Sequence, residues 1–169
     1  MQTLHTDRLV LEPRVAAHAD ALYPILADPR QREFHDDDPV SLDALRERFR
    51  KGESRHSPDG CEQWLNWALV LRGGDADAIG FAQATVQKDH RAWVAYADAT
   101  TLWGQGLATE AMRAMIDHLI AHYAVTQCMA TVDKRNERSW RLLERLGFAR
   151  VVDEQAAMDV QSGDWLYLR

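Results

Sequence analysis

The spacing of apolar positions changes period several times along this chain, and each change marks an element. Arg8-Leu9-Val10-Leu11-Glu12-Pro13 alternates and halts at a proline, which predicts a first strand. Ala16 to Leu26 carries apolar residues at helical spacing and stops at Asp28-Pro29. Ser41 is a suitable N-cap for a second helix with Leu42, Leu45 and Phe49 on one face. Gly52 to Gly60 is polar and reads as a loop. Trp64 to Leu71 and Ala78 to Val86 form a hairpin around Arg72-Gly73-Gly74-Asp75, and Trp93 to Asp98 adds a strand after Lys88–Arg91. Gln105 to Tyr123 is the clearest helix, with Ala108, Ala111, Met112, Met115, Ile116, Leu119, Ile120 and Tyr123 recurring at i, i+3, i+4, i+7. Gln127 to Val132 is a strand, and Glu137 to Leu146 a helix stopped by Gly147. Phe148 to Asp153 and Asp164 to Leu168 close the sheet. The order β-α-α-β-β-β-α-β-α-β-β predicts an α/β (α+β) fold with a mixed sheet, and without repeats or linkers the 169 residues read as one domain, 1–169.

Composition narrows the classes of function. Hydrophobic residues at 46% and charged residues at 27% belong to a globular chain. A formal net charge of -6 and the lack of a Lys/Arg block argue against a nucleic-acid partner and favour cationic partners such as amines. Cys61 and Cys128 form no CxxC pair and read as buried, inert thiols. The first residues, Met1-Gln2-Thr3-Leu4-His5, do not form a signal peptide, and no stretch reaches the about 18 apolar residues of a spanning helix. A cytoplasmic protein without membrane attachment is expected.

Chemistry concentrates where the strand ending at Asp98 meets the helix from Gln105: Thr100-Thr101-Leu102-Trp103-Gly104-Gln105-Gly106-Leu107-Ala108-Thr109. Glycines let a backbone approach a ligand, and a helix start offers unpaired N–H groups and a positive dipole end, together an anion site. The alternative is a tight turn without a ligand. The Gly-Lys-Ser/Thr of a Walker A loop is absent, and the acidic residue of a Rossmann fingerprint does not fall at its place, since the next strand runs on to Asp133. A second cluster, Asn136-Glu137-Arg138-Ser139-Trp140-Arg141-Leu142-Leu143-Glu144-Arg145-Leu146-Gly147-Phe148, follows that strand.

With both clusters in place the chain resembles the GNAT superfamily of N-acetyltransferases, most closely the branch of ribosomal-protein N-terminal and polyamine acetyltransferases. Trp103–Ala111 matches the cofactor loop, with the Trp at 103 that this branch often carries where the wider superfamily has Arg or Gln. Asn136, Ser139 and Leu146-Gly147-Phe148 match the second motif, and Thr6-Asp7-Arg8-Leu9-Val10-Leu11 matches the usual opening. The resemblance spans essentially the whole chain. It implies a mostly antiparallel sheet of about six to seven strands with a central splay, flanked by about four helices. It also implies acetyl-CoA as cosubstrate, no metal, and a primary amine, in a small molecule or at a protein N-terminus, as acceptor.

Site residues follow from the same resemblance. The strand at Ala97-Asp98 splays from Met129–Val132 to admit the pantetheine arm, Trp103 and Gly104 open the cofactor-binding loop, backbone N–H groups from Gln105, Gly106, Leu107, Ala108 and Thr109 hold the pyrophosphate, and Asn136 bonds the arm; Ala97, Asp98 and Ser139 count with these as cofactor-binding residues. An N–H near Ala97 steadies the oxyanion. The family's usual general acid, a Tyr, is replaced by Leu143, which makes Ser139 the alternative, or else a hydroxyl that only caps the helix or touches cofactor. Tyr96, Asp98, Glu62 and the Asp36–Asp38 run are the candidates for base, Tyr96 and Asp98 sharing one strand face. The Asp run reads more readily as a solvated loop ahead of the helix. A catalytically silent acyl-CoA-binding module is the alternative function. His118 and His122 stand four apart, a zinc-like spacing, but without a third ligand read as a solvated pair. The six tryptophans read mostly as core, one of them lining the acceptor pocket. Monomer and homodimer are both compatible with the sequence.

Overall fold

A computed structural model of the chain describes residues 1–34, 41–74, 77–152 and 163–169. Eight strands form one sheet: β1 (Leu4–His5), β2 (Leu9–Pro13), β3 (Glu62–Leu71), β4 (Ala78–Gln87), β5 (Arg91–Asp98), β6 (Gln127–Asp133), β7 (Ala149–Arg150) and β8 (Asp164–Leu168), in the order β1-β2-β3-β4-β5-β6-β8-β7. Five helices accompany it: α1 (Ala19–Leu26), α2 (Pro29–Arg32), α3 (Leu42–Gly52), α4 (Leu107–Tyr123) and α5 (Glu137–Arg145). Every strand pair is antiparallel except β5 with β6. This is the mixed, mostly antiparallel sheet expected, with β1 and the one-turn α2 added.

The sheet is covered on both faces. On one, Leu65, Trp67, Leu69, Ala82, Ala84 and Val94 meet the buried stripe of α4, which includes Ala111, Met112, Met115 and Ile116. On the other, Ala68 and Phe81 pack with Ala19, Leu22, Leu45 and Phe49 of α1 and α3. These buried side chains supply most of the folding free energy, at roughly 25 cal/mol per Å² of apolar area.

Several boundaries differ from the expectation. α4 starts at Leu107, because Gly106 has φ +79° and cannot be its first helical residue. Asp28-Pro29 does not merely end a helix: Asp28 caps α2, accepting from the Arg30 N–H at 2.9 Å, with Pro29 in the first turn. β7 is two residues long, and Asp153 lies outside the described residues. Two burial expectations fail. Cys61 is half-buried rather than enclosed; Cys128 is buried, which pushes its thiol up to about 11. His118 is not solvated but packs edge-on against Trp67 and stacks on His122, because the sheet covers that side of α4. Among the described residues no cluster could hold a metal ion, and no helix is long and apolar enough to cross a membrane.

Candidate active site

β5 and β6 pair only at Arg91↔Gln127, Ala92↔Cys128 and Trp93↔Met129. From Met129 onward β6 continues with β8, so Val94 to Asp98 lose their neighbour and the sheet splays open. The Ala99 N–H bonds the Ile79 carbonyl at 2.8 Å, which sets the phase of the β4–β5 ladder. With Phe81 opposite Ala97, the odd residues of β5 spend their backbone groups on β4 and the even ones face the gap. The amides that point into the opening are thus those of Tyr96 and Asp98, on either side of Ala97.

Side chains of the same even residues line a cavity of about 730 Å³ with Trp103, Gly104, Gly106, Ala108 and Thr109 of the glycine loop and Arg138, Arg141 and Arg145 of α5. Gly104 and Gly106 both take φ +79°, a left-handed conformation that glycine adopts freely. No side chain caps α4, so its first N–H groups are free for an anion. The loop, the helix end and three guanidiniums together suit a polyanion. Arg138 lies 3.1 Å from the Trp103 ring centre. Burial lowers its pKa, opposed by the nearby Tyr96 and Asp98. Gln105 and Leu107 turn away from the cavity, Leu107 into the core.

The loop is held from outside. Arg8 donates to the Gln105 carbonyl at 2.9 Å, and its Nε donates to Glu110 at 2.7 Å. Thr6 Oγ1 donates to Glu110 at 2.6 Å, and the Arg8 N–H at 2.9 Å. Burial alone would raise the Glu110 carboxyl; the bonds from Thr6 and Arg8 outweigh it and hold the pKa below its ordinary value. Glu110→Ala should cost about 2 kcal/mol, since a carboxylate with several charge-assisted bonds is removed. Denaturant unfolding of both proteins measures it. A depressed carboxylate pKa stabilises above the ordinary value, 4.5, and that share is lost as pH falls through the folded value, so the gap between the two proteins should narrow in acid. An unchanged gap at acid pH would contradict this assignment.

Asn136 is buried and caps α5, its Oδ1 accepting from the Ser139 N–H at 3.1 Å; its NH2 group remains a donor. Capping is therefore the work of Asn136, not of Ser139. The Ser139 hydroxyl instead accepts from the Tyr96 phenol at 3.2 Å. Leu143 is buried in the core, and the phenol that meets Ser139 comes from β5. Asp98 is buried, which raises its carboxyl pKa against the pull of Arg138. Its carbonyl accepts from Gln31 Nε2 at 2.5 Å and from Trp103 Nε1 at 3.1 Å. Gln31 of α2 thus anchors the end of β5. The sequence reading missed it; the Asp-Pro cap was the available signal.

A second cavity, of about 510 Å³, opens on the α1/α3 face and is lined by Ala95, Tyr96 and Ala97 of β5, by Trp64, Asn66, Gln83 and Thr85, and by Arg14, Arg48 and Lys51. Tyr96 lines both cavities. Glu62 does not line either; its carboxylate accepts from Trp64 Nε1 at 3.0 Å. Asp36–Asp38 lies outside the described residues.

The sequence profile described as an acetyltransferase (GNAT) domain matches residues 8–149. The chain belongs to the GNAT acetyltransferase family. Its class of chemistry is therefore acetyl transfer. This GNAT chain is 26% identical over 152 residues to an uncharacterised N-acetyltransferase, p20, of Bacillus licheniformis, covering 89% of this chain and 84% of p20. Two solved structures share the fold. RimL, a ribosomal L7/L12 alpha-N-protein acetyltransferase in complex with coenzyme A, superposes with TM-score 0.83 at 15% identity, covering 99% of this chain and 97% of that one. Ribosomal-protein-S5-alanine acetyltransferase of Vibrio fischeri gives 0.78 at 16%, covering 100% and 96%.

Proposed function

We propose that the protein transfers the acetyl group of acetyl-CoA to a primary amine by direct attack in a ternary complex. The observation that carries this is the meeting of two cavities at Tyr96, beside the open edge of β5: one suits a polyanion, and the other leaves separate room that we assign to the acceptor.

In this reading the α4 amides and the α5 arginines hold the pyrophosphate, and the Asn136 NH2 group bonds the pantetheine arm in the splay. The Tyr96 and Asp98 amides face the thioester carbonyl as it becomes an oxyanion. The amine nitrogen forms its bond to that carbon, the carbon–sulfur bond breaks, and the sulfur leaves with the electron pair. Ser139 Oγ–H protonates the thiolate while the Tyr96 phenol, already donating to Ser139, returns a proton to it. The amine's surplus proton goes to Asp98 and from there back to the Tyr96 phenolate on the same cavity, so that both groups end as they began. Of the carboxylates among the described residues lining the two cavities, Asp98 and Glu137, the latter is engaged with Arg141 at 3.0 Å. Burial, which raises the Asp98 pKa, favours its accepting a proton.

Calorimetric titration tests the cosubstrate. Acetyl-CoA should bind while ATP and NAD do not, and Asn136→Ala should weaken acetyl-CoA about tenfold, with about 1 kcal/mol of helix cap lost as well. Folded protein that ignores acetyl-CoA would refute the reading. Binding without thiol release, across a broad set of amines, would leave a silent acyl-CoA module.

A further inference from the structure

Arg14 follows β2 directly, its N–H donating to the Asn66 carbonyl at 2.8 Å. The residue is only 8% exposed, yet it lines the second cavity. Its guanidinium carbon lies 4.2 Å from the ring centre of Phe49 and 5.1 Å from that of Phe81. Among the described residues this guanidinium makes no hydrogen bond and no ion pair. Burial, with Arg48 and Arg55 nearby, pushes its pKa down to about 9. Arg55 Nη2 donates to the Arg14 carbonyl at 3.0 Å, and Arg55 Nη1 is buried without a partner. Lys51 stands on the same wall. Glu53 acts on Arg55 and accepts from the Ala16 N–H at 2.7 Å. No carboxylate lines the cavity among its described residues.

A buried guanidinium without a counter-ion among the described residues is costly unless an anion completes it. The chain as a whole carries a net charge of -6, so this positive wall is a local arrangement and not a consequence of composition. Phe49 and Phe81 flank the Arg14 guanidinium, and its N–H groups have no acceptor among the described residues; a carboxylate fits that fork with two bonds. The cavity then leads to Tyr96 and Ala97, at the splay. Its volume, about 510 Å³, suits a small molecule rather than a long chain.

We propose that the acceptor is a small amine bearing a carboxylate, held by Arg14 at one end of this cavity while its amino group points to the open edge of β5. The inference rests on the acetyl-transfer reading and deepens it. It sets aside polyamines, because they share the sign of the described side chains on this wall.

Thiol release from acetyl-CoA is to be followed with amino carboxylates of graded length, each beside its neutral amide, with spermidine and a peptide free of acidic residues as further acceptors. Amino carboxylates should surpass their amides by at least about tenfold in kcat/KM, the value of a charge-assisted pair. Arg14→Gln should abolish that preference while the acetyl-CoA Kd is unchanged, and Arg14→Lys should keep part of it. The comparison within the wild-type protein decides the matter even if the Arg14 variants do not fold. Equal turnover of the amides, turnover confined to spermidine or the peptide, or no turnover of any acceptor by protein that binds acetyl-CoA overturns the anion site and leaves the cosubstrate site standing. Failure to bind acetyl-CoA removes both.

Discussion

Tyr96→Phe lowers kcat for acetyl transfer by about 10²-fold or more and leaves acetyl-CoA affinity within about twofold, because proton donation acts on the leaving thiolate and not on the bound thioester. The phenol's contact with Ser139 at 3.2 Å makes the two hydroxyls one device. Ser139→Ala should therefore cost a similar factor, and the double variant little more than either single one, as for groups that act as a unit. Burial holds the Tyr96 phenol above its ordinary value of 10, against the lowering effect of the Ser139 bond, so it remains protonated through neutral and mildly alkaline pH. Any loss of kcat from its ionisation belongs above that value. An aryl thioester, whose thiolate leaves without a proton, should restore most of the rate to Tyr96→Phe. Wild-type kcat in the variant, or a defect that the aryl donor does not relieve, would remove Tyr96 from the proton path.

The parts of this site that were legible in the sequence are those fixed by local backbone chemistry. Gly104 and Gly106 announce a left-handed loop at a helix start, and α4 carries four turns of apolar spacing that only one face can bury. The resemblance to known acetyltransferases added the splay, which the register of β5 and β6 shows. What stayed hidden depends on long-range packing. Ser139 and Tyr96 are 43 residues apart, and only the closing of α5 over β5 brings their hydroxyls together. Gln31 looks like an ordinary polar residue of a one-turn segment until it is found buried at the Asp98 carbonyl. Arg14 reads as a charge after a strand-ending proline, because its burial comes from α3 and from the Phe81 side of the sheet. His118 reads with His122 as a solvated pair in the sequence, and it is Trp67, on β3, that covers it. The bulk charge likewise says nothing of the cationic side chains, Arg14, Arg48 and Lys51, that line the second cavity among the described residues.

Gly80→Ala should damage both stability and transfer more than its size suggests. Gly80 pairs with Asp98, and a Cβ there would stand 2.4 Å from the Ala97 carbonyl oxygen and 2.8 Å from the Asp98 Cα. Both are backbone atoms, so no rotamer can give way; β4 and β5 must part at the very residues whose amides face the splay. A cost of about 2–3 kcal/mol is expected from overpacking of this kind. The shift would carry the Tyr96 and Asp98 amides away from the oxyanion, where one misplaced donor costs about 10²-fold in kcat. Gly73→Ala is the control. That glycine has φ +74°, nothing lies within 4 Å of its added Cβ, and its turn is remote from both cavities. It should lose about 1 kcal/mol from backbone conformation alone, with kcat intact. Denaturation midpoints and kcat measured on both variants separate the effects. A folded Gly80→Ala protein with normal kcat would show that the end of β5 tolerates displacement, and that the oxyanion is held by groups other than its Tyr96 and Asp98 amides.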